Sequence, residues 1–561
     1  MSHRLLTVLL VAVLVPAALL RLPALTASPP GVWLDEAIGA VEGDALVPGL
    51  HDGTDVRSAR WPVWSTVEGA LARLLGATTP VARLPAALAG LLGVLLAWPV
   101  TRMLGGRVAA TGAAAFLAGS FWFVTANRVA LPCTLVVPET LLIGWLLLRD
   151  DPLSPGAGVL LVLVCTVAPL GYAASLVTPV LAAGLLFLRV RARGLNHARV
   201  ELATAAATAI LVTIVVLANP DSLQRSSTLG RLETASLGGW IRQSGRVLAN
   251  WAVGGPAGWG CWNPFPPGTP RATVVEFSLV LMGAAAFART SIPRVRRIAL
   301  AGWCALALIP EIAPGDGLHV LRGLPTLAPA AVLAGLGAET AFRLTGRTGG
   351  ILLAGAIVLN AGRTAWLTFV VMPRDPVACS WYLVADREAA DWVRACAARE
   401  PVFLTPTPTR AASPVLLFHL RESIRLGRVR GTDVALADPV VERIARDPGS
   451  GQPLLFIFRS ARRLDGRPHL GISSIDGLLA YGRQALAAGR TREAEAHFRG
   501  ALAYAPDAAA THGALGLALA AQRRWRDAAV HLRLARPFSP PGSPCAVALV
   551  EAERRLAPPS P

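Results

Sequence analysis

The chain has 561 residues, of which 53% are hydrophobic and only 16% charged, and its mean hydropathy is +0.51. A soluble globular domain carries about a quarter charged residues, so that class is excluded for most of the length; repeated apolar runs of about 20 residues point instead to a polytopic helical membrane protein. All 53 basic residues are arginine and the formal net charge is +18, but they cluster between apolar runs and in the tail, which argues against a nucleic-acid surface and for the arginine excess of cytoplasmic loops.

Leu5 to Leu25 is the first apolar run, preceded by His3 and Arg4. A cleaved signal peptide is the alternative, but the run is long for one and further spans follow, so a retained first span with its N-terminus inside is expected. Residues 27–79 are mixed and polar, with Asp35, Glu36, Glu42, Asp44, His51, Asp52, Asp55, Arg57, Arg60 and Glu68. Within them, Pro62 to Leu75 has apolar residues at helical spacing together with Glu68 and Arg73, which predicts an amphipathic helix lying at the interface.

Further candidate spans lie at roughly 80–104, 108–126, 131–149, 156–172, 173–190, 199–218, 271–289, 297–313, 318–341 and 348–370, about eleven with the first. Near Gly171-Tyr172 two runs are almost continuous. With the N-terminus inside, the alternating inner loops hold Arg102 and Arg107, then Arg149, then Arg189, Arg191 and Arg193, then Arg289, Arg294, Arg296 and Arg297, and last Arg343 and Arg347. Every inner loop is arginine-bearing, as the positive-inside rule expects. The Asp35 loop, residues 219–270 and the tail from about 371 then lie outside the plasma membrane. The 219–270 loop is rich in tryptophan and glycine; its Trp240, Trp251, Trp259 and Trp262 read first as an interfacial belt, and second as substrate or lipid contacts.

The seven cysteines form no CxxC pair, which disfavours a zinc or redox site. Cys379 and Cys396 follow the last span and could pair if that side is oxidising. Residues 371–472 read as a small soluble α/β unit, with a helix near 386–398 and apolar strands such as Pro401–Leu404 and Leu454–Phe458. From 473 to 557, Leu478, Tyr481, Gly482, Gly489, Ala494, Phe498, Ala501 and Pro506 have the spacing of a tetratricopeptide repeat. Gly482, Ala494, Phe498, Ala501 and Pro506 recur one period later as Gly516, Ala528, Leu532, Ala535 and Pro540. Such a unit binds a protein partner or serves as a structural cap. The fold expected is therefore mainly α: a transmembrane domain over 1–370, the α/β segment and the repeats.

Two adjacent carboxylates, Asp35 and Glu36, follow the first span and share their loop with arginines; at one membrane face this combination suits a phosphate-bearing lipid and an acceptor nucleophile. Trp33-Leu34-Asp35-Glu36-Ala37, Arg60-Trp61-Pro62-Val63, Ala82-Arg83-Leu84-Pro85, Asn127-Arg128 and Leu321-Arg322-Gly323-Leu324-Pro325 together resemble the motifs of the GT-C superfamily of membrane glycosyltransferases, in the protein O-mannosyltransferase and ArnT-like branch. The resemblance covers about residues 1–370. It implies transfer of a sugar from a polyprenyl-phosphate donor, within a membrane lipid environment, to a cell-envelope acceptor on the outer face of a bacterial membrane. It implies that Asp35 is the general base or positioner of the acceptor, that Glu36 assists or binds a metal, and that Arg60 and Arg322 hold the donor phosphate. Arg83 serves either as a substrate contact or as a link between the second span and the first loop; His51 and His319 are candidate phosphate contacts. Members differ on metal use and the sequence has no evident metal cluster, so a divalent metal is left open and no other cofactor is expected. The family's aromatic-rich early loop is thin here, and its usual Lys or Arg followed by Pro-Pro is here Arg60-Trp61-Pro62. A non-catalytic membrane anchor whose repeats recruit envelope proteins is the competing reading, and a lipid-sugar flippase or polymerase a third; a flippase would carry more charges in mid-span.

Overall fold

The computed structural model describes residues 3–46, 61–218, 237–253, 266, 269–289, 292–312, 319–405, 414–431, 440–446, 453–460, 463–474, 479, 482–483, 485–504, 509–538 and 542–557. It falls into two compact units, Met1–Val384 and Ala385–Pro561.

In the first unit the apolar runs form helices. α1 is His3–Arg21. The polar stretch after it forms a helix, α2 (Leu34–Leu46), where the composition suggested a loop. Asp35 and Glu36 occupy its first turn, the sign of charge a helix N-terminus favours. α3 (Pro62–Leu75) has the predicted bounds, with Pro62 at the first helical position, where its missing N–H costs nothing. α2 and α3 approach so closely at Gly43 that a side chain there would strike the Ser65 carbonyl. Val67, Leu74 and Leu75 of α3 stay exposed while Trp64, Ser65 and Glu68 are buried.

α4 (Thr79–Leu104), α5 (Arg107–Gly119), the short α6 (Phe121–Ala126) and α7 (Val136–Leu147) follow. The nearly continuous runs around Tyr172 resolve into two helices, α8 (Pro155–Gly171) and α9 (Val177–Arg193), separated by a 3-10 turn. α10 (Arg199–Ala218), α11 (Leu237–Val253), α12 (Val274–Arg289) and α13 (Arg294–Ile312) come next. The last two predicted spans are two helical stretches that meet at Gly346, where φ is 63° and the helix is interrupted; α14 (Leu327–Trp366) covers both. Thr79–Leu104, Ala174–Arg193, Arg199–Ala218 and Leu324–Val371 are long and apolar enough to cross a membrane; Val11–Arg21, Arg107–Gly119, Pro132–Leu147, Pro155–Gly171 and Val274–Ala288 are apolar but shorter.

The interior is packed largely with alanine and glycine, whereas Leu160, Leu163, Ile210, Ile214, Ile351 and Leu359 point outward. That distribution suits helices solvated by lipid, where close backbone approach replaces the hydrophobic effect as the cohesive force. α12 and α14 are the clearest case: Gly283 abuts the Leu333 carbonyl and Gly337 abuts the Leu279 carbonyl. Short α15 (Pro376–Trp381) and Tyr382 end the unit.

The second unit begins in α16 (Val384–Arg399) and has a five-stranded mixed sheet of order β2-β1-β5-β4-β3. Its strands are β1 (Val402–Thr405), β2 (Val429–Gly431), β3 (Val440–Arg446), β4 (Pro453–Arg459) and β5 (His469–Ser474). β1 runs parallel to β2 and β5, and β4 antiparallel to β3 and β5. Ala389, Val393, Leu416 and Leu420, from α16 and α17 (Pro414–Arg425), pack on Val402, Leu404 and Ile457. α18 (Thr491–Tyr504), α19 (Ala509–Ala521), α20 (Trp525–Ala535) and α21 (Pro544–Leu556) follow. Gly482 packs on the Phe498 ring, and one sequence period later Gly516 packs on Leu532. Leu478, Tyr481, Pro506 and Pro540 lie outside the described residues. No disulfide joins the six described cysteines, Cys379 and Cys396 among them.

Candidate functional site

The WLDEA segment is held by a buried charge network. Glu36 is fully buried and accepts four hydrogen bonds. Its Oε1 takes one from Arg83 Nε at 2.6 Å and one from the Ala130 amide at 3.0 Å. Its Oε2 takes one from Arg83 Nη2 at 3.0 Å and one from the Trp33 amide at 3.2 Å. The last is half of a capping box, satisfying the donor that precedes the helix. An ionised carboxylate has about four lone-pair positions, so Glu36 is saturated. Arg83 is saturated too: its remaining donors reach the carbonyls of Leu25 (2.7 Å), Pro29 (3.1 Å) and Gly31 (2.5 Å).

A second buried arginine, Arg128, grips the same turn, and a third, Arg21, ties the end of α1 to α5. Arg128 donates to the carbonyls of Leu20, Pro23, Ala24 and Ser28 at 2.7–3.0 Å and lies over the Phe369 ring. Arg21 donates to Asn127 Oδ1 at 3.0 Å and to the carbonyls of Ala17, Leu117 and Ala118. Guanidinium forks suit this task because each offers five donors in a fixed plane. The turn between α1 and α2 is thus an irregular backbone whose carbonyls are met by arginine rather than by water.

Asp35, next to the saturated Glu36, is only part-buried. Trp33, two residues before it, lines a narrow cavity with room for about one water molecule, together with Trp122, Thr125, Val129, Leu321 and Tyr382. The Tyr382 carbonyl accepts from the Val32 amide at 2.8 Å, and its ring meets Trp33 edge-on at 6.0 Å.

A second charged cluster adjoins the pocket through Trp122. Arg271 lies over the Trp122 ring, 4.8 Å from its centroid, and pairs with Glu311 at 2.5 Å; both charged side chains are buried. The Trp122 indole donates to the Val320 carbonyl at 3.0 Å and meets Trp251 edge-on. Gly323 packs so tightly that a Cβ would lie 2.5 Å from Glu311 Oε2 and 3.0 Å from Arg271 Nη1. Arg271 Nε and Nη2 and Glu311 Oε2 are buried without a hydrogen-bond partner among the described residues. Burying such donors unpaired costs about 1–3 kcal/mol or more each, so this guanidinium is held ready for an anionic or polar ligand. His319 lies just before α14, close to the Arg322 and Arg271 charges.

Of the residues singled out from sequence, Glu36 and Arg83 are joined to each other, Asp35 stands beside them, and His319 and Arg322 fall near Arg271. His51 and Arg60 lie outside the described residues. Sequence reasoning missed Arg271, Trp122 and Tyr382. Arg271 had one available signal: it opens an apolar run while Glu311 closes another, a pair of opposite charges at the ends of two spans. Among the described residues no group of three or more His, Cys, Asp or Glu could hold a metal ion.

No family model matches the chain, and no curated protein matches it. Among solved structures the chain is similar to ArnT from Cupriavidus metallidurans bound to undecaprenyl phosphate, with 14% identity and a TM-score of 0.49 over 77% of this chain and 90% of that one. The apo form of the same protein gives 14% identity and a TM-score of 0.47, over 74% and 84% of the two chains. The archaeal oligosaccharyltransferase AglB from Archaeoglobus fulgidus, in complex with an inhibitory peptide and a dolichol-phosphate, gives 13% identity and a TM-score of 0.38, over 69% and 58%.

Proposed function

We propose that the chain is a membrane glycosyltransferase that moves a sugar from a polyprenyl-phosphate carrier to a cell-envelope acceptor on the outer membrane face. The observation that carries this reading is the locked WLDEA turn: Glu36 is saturated by Arg83 and two backbone amides while the adjacent Asp35 remains part-buried. A rigid inner carboxylate that fixes an outer one is the arrangement expected of a positioned catalytic group.

In the reaction, the acceptor's oxygen or nitrogen bonds to the anomeric carbon of the sugar. The bond from that carbon to the carrier phosphate breaks, and the acceptor's proton passes to Asp35 acting as general base. Negative charge grows on the departing phosphate, and Arg271 and Arg322 are the guanidiniums suited to meet it. Glu36 and Arg83 hold the turn and are positioning residues. The arginine-rich inner loops support a cytoplasmic N-terminus and an outer tail. The repeated glycine contacts at Gly482 and Gly516 support a tetratricopeptide unit, whose role would be to bind a peptide or protein of the envelope.

The test is transfer of labelled sugar from a polyprenyl-phosphate sugar in membranes, comparing wild type with Asp35→Asn at equal protein level. The expected result is transfer by wild type and a loss of about 100-fold or more in the variant, the range of a removed general base. Equal transfer by both removes Asp35 from the chemistry. No transfer from any donor favours the anchor reading and directs attention to what the repeats bind.

A further inference from the structure

The helical end of the second unit holds a contact that the transfer reaction does not use. His512, in the first turn of α19, and His531, near the end of α20, meet through their Nδ1 atoms at 2.9 Å. The ring planes are 20° apart and the ring centroids 5.1 Å apart. That separation is close to the nitrogen–nitrogen contact plus one ring radius at each end. The two nitrogens therefore face each other along one line, edge to edge. No metal ion fits between them, because each metal–nitrogen bond alone takes about 2.0–2.1 Å. The contact is a hydrogen bond: one Nδ1 carries a hydrogen and donates, and the other accepts with its lone pair.

The number of protons on the pair decides whether this bond exists. With both imidazoles neutral it forms. One added proton goes to Nε2 of the donating ring, and the charged N–H then donates to a neutral nitrogen, a stronger bond. A second proton has only the accepting Nδ1 to go to, since the Nε2 of that ring already carries a hydrogen. It removes the lone pair and sets two donors and two positive charges face to face.

The neighbours do not offset that second charge. Arg499 of α18 and Asp527, one turn earlier on α20, act on His531. Asp527 is already paired with Arg524. α18 also carries His497 and Glu495, and Glu495 is taken by Arg499 and Arg524. α21 brings Cys545 against Gly513, beside His512, and its Glu553 pairs with Arg533. The turn after α20 carries Arg536. Burial, then the His512 and Arg499 charges, hold His531 below the ordinary histidine value, against the pull of Asp527. The folded pair thus binds fewer protons than the unfolded chain. Its contribution to stability is complete above about pH 6.5 and is lost as the pH falls through the lowered value.

We propose that His512 and His531 form a proton-operated clasp, which holds α19 against α20 near neutral pH and releases the two helices in mild acid, when both rings are charged. On the reading that puts the tail outside the membrane, the clasp answers to the pH of the envelope side. The test does not depend on that orientation.

The experiment measures amide hydrogen exchange in the full chain in lipid nanodiscs, at about pH 7.5 and about pH 5, the two sides of the histidine range. Rates are corrected for the intrinsic pH dependence of exchange and read in α19 and α20, so that His469 of β5, another histidine held low by burial, does not enter. Wild type is compared with His531→Gln and with the double variant His512→Leu/His531→Leu. Removing both partners at once leaves no orphaned nitrogen, so the double variant is expected to fold even where the single one does not. The expected result for wild type is exchange in both helices at least about tenfold faster in acid, the effect of one pKa unit between folded and unfolded states. Both variants are expected to change by less than about threefold, since the second imidazolium cannot form in them. A wild-type change below that level overturns the clasp, as does an acid acceleration in the double variant equal to that of wild type.

Discussion

Glu36 gives up all four of its acceptor positions to Arg83 and two backbone amides, and both charged partners are fully buried. Removing one charge of such a pair leaves the other uncompensated in a low-dielectric interior, at a cost of about 3–5 kcal/mol. Glu36→Gln is therefore expected to lower the thermal unfolding midpoint of the purified protein sharply, whereas Asp35→Asn leaves it nearly unchanged while transfer is lost. The two neighbours are separated by stability on one side and turnover on the other; a Glu36→Gln protein as stable as wild type would show that the lock is not structural. The sequence shows two adjacent acids and an Arg-Leu-Pro motif, but it does not show which acid Arg83 takes. That choice depends on backbone amides at Trp33 and Ala130 that carry no side-chain signal. Tyr382 was illegible for the same reason: it belongs to no motif, and it reaches the first loop through its backbone carbonyl and its ring.

At the scale of elements, apolar runs made most helices readable, because burial in lipid needs little beyond length and hydropathy. α2 was not readable. Its four acids and two glycines hide any apolar stripe, and it stands because the Glu36 cap satisfies its start and because Gly43 lets α3 approach. The same small-residue logic joins α12 to α14, where Gly283 and Gly337 each abut a facing carbonyl. A side chain at either position must push two backbones apart, forfeiting the close contact that holds helices together in lipid. Gly337→Val is expected to destabilise by about 1–3 kcal/mol or more. Gly355→Ala, beyond the Gly346 break and facing open space, is expected to be neutral or to stabilise by up to about 1 kcal/mol. Thermal midpoints of the two variants in one detergent check the pair; similar shifts in both would mean that the helices do not meet at Gly337.

For the molecule as a whole, composition marked the change from lipid-solvated to soluble chain near residue 371, but the compact unit extends to Val384. The extra residues are held by contacts rather than by hydropathy. The Tyr382 carbonyl meets the Val32 amide, the Tyr382 ring meets Trp33, and both partners belong to the turn that presents Asp35. Ending the chain after Val384 removes the second unit but keeps these contacts; ending it after Asp375 removes them. The two truncations differ by nine residues, so hydrophobic length and span number are the same in both. Transfer to a small soluble acceptor analogue is expected to survive the first truncation within a few-fold and to fall at least about tenfold in the second, since a loss of one buried hydrogen bond and an aromatic contact at the site exceeds about 1.4 kcal/mol. If instead both truncations are equally inactive, the second unit itself takes part in the reaction. If both are equally active, the connector plays no part in holding the turn that presents Asp35.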